Sequence, residues 1–316
     1  MGTYLSKRLV NLLTTLLVMS VFVFLMVRLM PGDVVDIMLG QETAASEETL
    51  AMLRRQYGLD QPLHIQYIRW MSHILRGDLG LAMRTRMPIQ EDMLRKLPIT
   101  IELAILSVGL SVIIALPLGI FSALRPNSPA DFICRFLGIV GLSFPDFWLA
   151  IVLILVASRV FGWLPAPMFV PFFENPLQNL SQIALPAFAL GFRMVASVMR
   201  MTRSTMLEVM GQDYIQVARA KGLPDRYVVV RHALKNAGIP IITLIGINLG
   251  NLLSGAVIIE QIFGLPGLGW MLVNAIHQRD YTTLQASVLV SCLFFALTNL
   301  CVDVLYAYLD PRIRCG

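Results

Sequence analysis

The sequence predicts an all-α integral membrane fold with six transmembrane helices, and three observations carry that prediction. Of the 316 residues, 56% are hydrophobic and 14% charged, and the mean hydropathy is +0.70; a water-soluble chain needs more polar surface than this. The apolar residues collect in runs long enough to cross a bilayer core, which takes roughly 20 residues of helix per crossing. The basic residues concentrate between alternate runs, the pattern that marks the cytoplasmic side of a membrane protein. The net charge of +5 therefore reports topology, because no basic patch is interleaved with aromatic residues as a nucleic-acid surface would be.

Taken in order, the first run extends from Leu9 to Met30 behind Lys7 and Arg8. A secretory signal has an apolar region of about 7–15 residues and a small-residue cleavage site. This run is longer and closes on Arg28, Pro31, Gly32 and Asp33, so it is expected to remain as the first helix. Further crossings are expected at Pro98 to Leu124, Phe132 to Phe161, Ile183 to Met201, Ile239 to Phe263 and Thr283 to Tyr308. If Lys7 and Arg8 are cytoplasmic, so are Arg125, Arg135, the basic cluster from Arg200 to Lys235, Arg312 and Arg314, and both termini lie inside.

The chain thus reads as an N-terminus with its first helix (1–30), an extracytoplasmic loop (31–97) and a core of five crossings (98–316). The outer loop is rich in arginine, but loops longer than about 60 residues escape the charge rule. It is expected to hold short helices, one capped by Ser46 and another opened by Pro62 with Leu63, Tyr67, Met71, Ile74 and Leu75 on one side, followed by a turn at Gly77 to Gly80. The four cysteines, Cys134, Cys292, Cys301 and Cys315, have no metal-ligand spacing and read as packing residues.

The segment 200–236 is too polar to cross the membrane and too well punctuated to be a loose linker. Two short helices are expected in it. Asp213 can cap the first, Tyr214, Ile215, Val217 and Ala218 give it an apolar side, Lys221 falls in its last turn and Gly222 suits its stop. Pro224 and Asp225 open the second, which runs to Lys235. An apolar-sided hairpin at a membrane surface must fold back on the spans, bind another protein or sit as a solvated basic loop.

The residues here resemble a known family. The run Asp213-Tyr214-Ile215, then Ala218-Arg219-Ala220-Lys221-Gly222-Leu223, then His232-Ala233-Leu234-Lys235-Asn236-Ala237 and Pro240 is similar to the ATPase-coupling loop of binding-protein-dependent ABC transporter permeases. The resemblance is to the dipeptide, oligopeptide, glutathione and nickel branch. In the wider superfamily the loop reads Glu-Ala-Ala, three residues, then Gly; this chain has Gln216, Val217 and Ala218 there and keeps only the last Ala and Gly222. The likeness also takes in Pro31-Gly32-Asp33, Tyr57 to Leu63, Gly77-Asp78-Leu79-Gly80, Ser143-Phe144-Pro145, Glu260 to Gly269, Arg279-Asp280-Tyr281 and Asp310 to Arg314.

The resemblance implies a type I ABC importer permease-like fold in the bacterial inner membrane. It further implies a homologous second permease, two cytoplasmic ATP-binding subunits that hold ATP and Mg, and an extracytoplasmic solute-binding protein. Asp213, Tyr214, Ile215, Ala218, Arg219, Ala220, Lys221, Gly222 and Leu223 would form the ATPase-coupling element. The cargo would be a small polar solute, a di- or oligopeptide first, with glutathione or a nickel complex as alternatives.

No G-x-x-x-x-G-K-[ST] phosphate loop occurs, so no cofactor or catalytic residue is expected in this chain and ATP hydrolysis would come from partner subunits. That absence fits an ion-coupled carrier or a channel equally well. Such a carrier should bury ionisable groups deep in its spans; Asp146, Arg193 and Asp303 are among the few candidates, and structural roles are weighed ahead of transport chemistry for them. A membrane enzyme is the third reading, but neither H-E-x-x-H nor G-x-S-x-G is present. For the solute path, polar residues at membrane depth are the candidates: Ser143, Asp146, Asn248, Asn251 and Ser254, with Glu260 as a gate or binding-protein contact.

Overall fold

The computed structural model describes residues 2–29, 52, 55, 60–164 and 168–309, without the side chains of 2–5, 251, 253–255 and 305–309. Among these residues the structure is helical throughout, with one isolated bridge between Leu81 and Pro88. The elements are α1 (Gly2–Leu29), α2 (Leu63–Leu75), α3 (Ile89–Leu124), α4 (Pro129–Ser143), α5 (Asp146–Phe161), α6 (Pro176–Met210), α7 (Asp213–Ala220), the one-turn α8 (Asp225–Tyr227), a π-helical stretch Val228–Ala233, α9 (Leu234–Phe263), α10 (Leu268–Gln278) and α11 (Tyr281–Leu309). Five helices are long and apolar enough to cross a membrane, and the number reaches seven if each of two bent pairs is one span. The six crossings expected from the sequence fall within that range.

Three expectations about element ends are corrected. Phe132 to Phe161 is not one straight span but two helices, α4 and α5, bent by 106°. The cause is Pro145: it lacks an N–H and forces Phe144 into extended backbone (φ −94°, ψ 135°), which helix cannot continue through. The Pro145 carbonyl then accepts the amides of Trp148 and Leu149 to start α5 anew, and the Phe144 and Trp148 rings stack across the break at 4.4 Å. Second, Arg200 to Met210 belongs to α6, which runs 35 residues from its Asn175 cap, where Oδ1 accepts the Gln178 amide. Third, the second helix of the inner hairpin does not stop at Lys235 but runs on through Pro240 into α9.

The chain forms two compact units that interleave along the sequence. The first comprises Met1–Leu9, Ile99–Leu265 and Leu297–Gly316. Its centre is α6, packed against α9, α4 and α5. Ile183, Ala187, Leu190, Met194 and Val198 recur every three or four residues and are all buried, the helical stripe that one packed face requires. Lipid tails are as apolar as leucine, so this packing rests on close backbone approach between helices. Gly191 allows it: a Cβ there would lie 2.7 Å from the Ser107 carbonyl oxygen of α3. Asp303, expected to pair with another helix, meets Arg8 of α1 at 3.1 Å.

The second unit comprises Val10–Pro98 and Pro266–Ala296. Pro62 opens α2 as expected, and Tyr67 and Trp70 on that helix pack with Phe24 of α1, while the Tyr67 hydroxyl shares a 2.8 Å hydrogen bond with Ser20. The expected turn at Gly77 to Gly80 is present, both glycines having positive φ. Asp78 accepts the Gly80 amide at 2.9 Å and pairs with His73 at 3.0 Å, and these contacts hold its carboxyl below the usual range. Asp280 caps α11 through the Thr283 amide and receives the Met83 amide at 3.0 Å, pinning the loop before α3. The helix expected behind Ser46 lies outside the described residues.

Replacing Gly191 by Ala is expected to lower stability by about 1–3 kcal/mol, because the Ser107 backbone cannot yield cheaply. Gly109→Ala, where a Cβ meets nothing within 4 Å, is the matched control. A thermal unfolding series in detergent that found the two variants equal would contradict this packing.

Candidate functional site

At the end of α6, Gly211 closes the helix and Gln212 turns into extended backbone, so α7 begins at Asp213. Asp213 is therefore not the cap that its chemistry suggests. It occupies the first helical position, where its charge still favours the positive end of the helix dipole. Lys221 is the C-cap rather than part of the last turn.

The stop after α7 is a hydrogen-bonded motif that needs glycine. Gly222 has φ +76°, its amide bonds the Arg219 carbonyl at 2.9 Å and the Leu223 amide bonds that of Ala218 at 3.4 Å, the two bonds of a Schellman cap. Nothing lies within 4 Å of a Cβ built on Gly222, so its requirement is backbone conformation and not space. Arg219 reaches Asp225 at 3.2 Å, and the Asn236 amide donates to the Tyr214 hydroxyl at 2.8 Å, so each arm of the hairpin is tied to the other.

The apolar residues of α7 divide between two faces. Ile215 and Ala218 are buried in a cluster that also holds Met206 of α6 and Val228, Val229 and Ala233 of the π-helical stretch, with Leu223 half-buried beside it. Tyr214 and Val217, one turn apart, are exposed, as are Asp213, Arg219, Ala220, Lys221 and Gly222. The hairpin is thus seated on the spans by one side and leaves a second apolar strip, Tyr214 and Val217, exposed and rimmed by charge.

The expected solute-path residues separate. Ser143 and Asp146 flank the bend between α4 and α5; Ser143 is exposed and returns its hydroxyl to the Ile139 carbonyl, while Asp146 is half-buried with Arg193 as its nearest opposing charge. Asn248 donates to Ser197 of α6 at 3.1 Å, which makes it a link between helices. The side chains of Asn251 and Ser254 lie outside the described residues. Glu260 is fully buried and accepts from the Thr100 hydroxyl at 2.6 Å, so its carboxylate is not offered to another protein in this conformation.

Sequence reasoning missed the strongest electrostatic feature of the inner end. Asp131, in the first turn of α4, is buried and receives Nε and Nη2 of Arg203 at 2.6 and 2.9 Å, the Ser122 hydroxyl and the Asn127 amide. A local signal existed: Ser128-Pro129-Ala130-Asp131 is a capping-box pattern, and Ser128 does accept the Asp131 amide. Arg203 stands 72 residues away and nothing local could have named it. Asp131→Asn removes the charge that Arg203 needs while leaving the guanidinium in place, and is expected to cost about 3–5 kcal/mol. A melting temperature equal to the parent protein would refute the pairing.

The fold and this hairpin define a helical membrane protein of several spans. Its sequence matches two family models, the inner membrane component of binding-protein-dependent transport systems over residues 115–314 and the corresponding N-terminal region over residues 1–104. The chain belongs to that family and is the permease component of an ABC importer.

Among curated relatives, it is 40% identical to the glutathione transport system permease protein GsiC of Salmonella paratyphi A, over 99% of both chains. It is 38% identical to the dipeptide transport system permease protein DppB of Alkalihalophilus pseudofirmus, over 99% of this chain and all of that one. A solved chain of the MetNI methionine ABC transporter in an inward-facing conformation has the same fold at 17% identity, with a TM-score of 0.55, covering 69% of this chain and 96% of that one.

Proposed function

We propose that this permease carries short peptides across the bacterial inner membrane, with α7 as the element through which separate ATPase subunits drive it. The observation that carries the coupling role is the two-faced α7: Ile215 and Ala218 fasten it to the spans, while Tyr214 and Val217 face outward. Force applied to the exposed face passes through the buried one to α6 and to the π-helical entrance of α9. The cargo class is supported by dipeptide and glutathione relatives at nearly equal identity; glutathione is itself a tripeptide, so a peptide backbone is the chemistry both share.

In this reading a homologous second permease completes the path, two cytoplasmic subunits bind ATP and Mg, and a solute-binding protein delivers cargo from outside. ATP-driven closure of the two motors draws the coupling helices together and opens the path outward; hydrolysis resets it. The positive loops support a topology with both termini, and α7, in the cytoplasm. Asp146 lines the path at the bend of α4 and α5, where a broken helix frees backbone groups for a polar solute. Ser143 stands at the same bend, and Glu260, bonded to Thr100, acts as a bolt of the outer gate.

Val217→Asp puts a charge on the docking strip without disturbing the buried face, and is expected to weaken ATPase attachment about tenfold. Gly222→Val strains the αL turn and should uncouple ATP hydrolysis from uptake while membrane insertion is unchanged. Attachment assays and uptake of labelled dipeptide and glutathione by vesicles carrying the whole transporter read both effects. Parental behaviour in both variants would remove α7 from the coupling role. Trypsin should cut at the exposed Lys221 in inverted vesicles only; cleavage from the outer side would reverse the topology.

A further inference from the structure

A cavity of about 350 Å³ opens within the first unit, between the end of α3, α4 and α6. Its lining joins the cations Arg135, Arg200 and Arg203 to the apolar side chains of Ile139, Leu142 and Met199. No carboxylate lines it. The buried Asp131 behind it accepts from Arg203, Ser122 and Asn127 and lies 3.5 Å from Arg135 Nε, so three guanidinium charges stand against one carboxylate. Arg135 lies 4.3 Å over the Phe132 ring, and its Nη2 is shielded from water without an acceptor. A shielded guanidinium nitrogen with no acceptor costs free energy unless an anion arrives from outside the chain.

The apolar wall continues onto the outward side of α4, where Phe132, Ile133, Phe136 and Ile139 are all more than half exposed. One site therefore pairs a cationic end with an apolar trough. An occupant that matches both is amphiphilic: an anion at one end and a hydrocarbon chain at the other.

We propose that this cavity binds an anionic phospholipid, its phosphate between Arg135 and Arg200 with Arg203 behind, and an acyl chain along α4 past Ile139 and Leu142. The proposal rests on the topology given above, which puts the cavity at the cytoplasmic surface of the bilayer, where basic pockets between helices meet anionic headgroups. Arg203 is seven residues before the end of α6, so the bound headgroup sits roughly 10 Å along the helix from the point where α6 ends and the chain turns into α7. It clamps α4 to α6 just above the element that the motors move. Anionic lipid then stiffens the path of force, and ATP-driven uptake depends on membrane composition as well as on the ATPases.

The test uses the full-length chain, purified with its partner subunits where these stay attached and otherwise by itself. Lipid retention is measured by native mass spectrometry after exchange into phosphatidylcholine nanodiscs with or without phosphatidylglycerol. The parent protein is expected to keep phosphatidylglycerol in preference to phosphatidylcholine. Arg135→Gln with Arg200→Gln should lower its affinity for phosphatidylglycerol about 30-fold, while Arg135→Lys with Arg200→Lys keeps most of it. Arg203 is left untouched because Asp131 depends on it. Inorganic phosphate, which offers the headgroup charge without a chain, is expected not to displace the lipid.

Equal retention of the two lipids, undiminished retention by the glutamine variant, or displacement by inorganic phosphate overturns the proposal. So does a cross-link from Ser204→Cys, on the rim of the cavity, to a second permease filling the same space. Lipid retention is read whether or not the ATPases couple, so its outcome is separate from that of the α7 variants. Cleavage at Lys221 from the outer side would fail the topology alone.

Discussion

Hydrocarbon supplies no hydrogen bonds, so every backbone amide and carbonyl of this chain at membrane depth must be satisfied by the chain itself. That constraint makes the described residues helical and makes each interruption expensive. The interruptions found are all repaired locally. At Pro145 the carbonyl of the breaking residue accepts two amides of the next helix. At Gly222 a Schellman cap closes α7, and at Gly264, with φ +67°, the Leu265 amide returns to the Glu260 carbonyl. At these three places a proline or a left-handed glycine is followed by such a repair.

Between helices the same solvent removes the usual driving force, since burying leucine from lipid gains little. What remains is contact distance and internal polarity. Gly191 lets α6 approach the backbone of α3, while Asp131 with Arg203, Asn248 with Ser197 and Arg8 with Asp303 place polar pairs across helix interfaces. The most heavily bonded of these, at Asp131, lies near the hairpin. A buried carboxylate held by four donors makes the contact between α4 and α6 rigid there.

The hairpin shows how one short sequence serves two contacts. Residues 215 and 218 share one face of α7 and residues 214 and 217 the neighbouring one, so an eight-residue helix both roots itself and presents a surface. The Arg219–Asp225 and Asn236–Tyr214 contacts keep the two arms in register.

Composition, run length and loop charge were enough to determine a multi-pass helical protein, because those signals express solvation by lipid and need no knowledge of neighbours. The sequence also located the short helix after α6 and its stop at Gly222, since turn chemistry is local. It could not show that Phe132 to Phe161 folds back by 106°, although Pro145 marked the spot, because a proline in lipid can kink a helix or end it and packing chooses between them. Nor could it separate Ile215 from Tyr214, assign Asn248 to Ser197, or join Asp131 to Arg203. Those are contacts between residues 51 and 72 positions apart, or between faces of one helix, and they are decided only when α6 is laid against its neighbours.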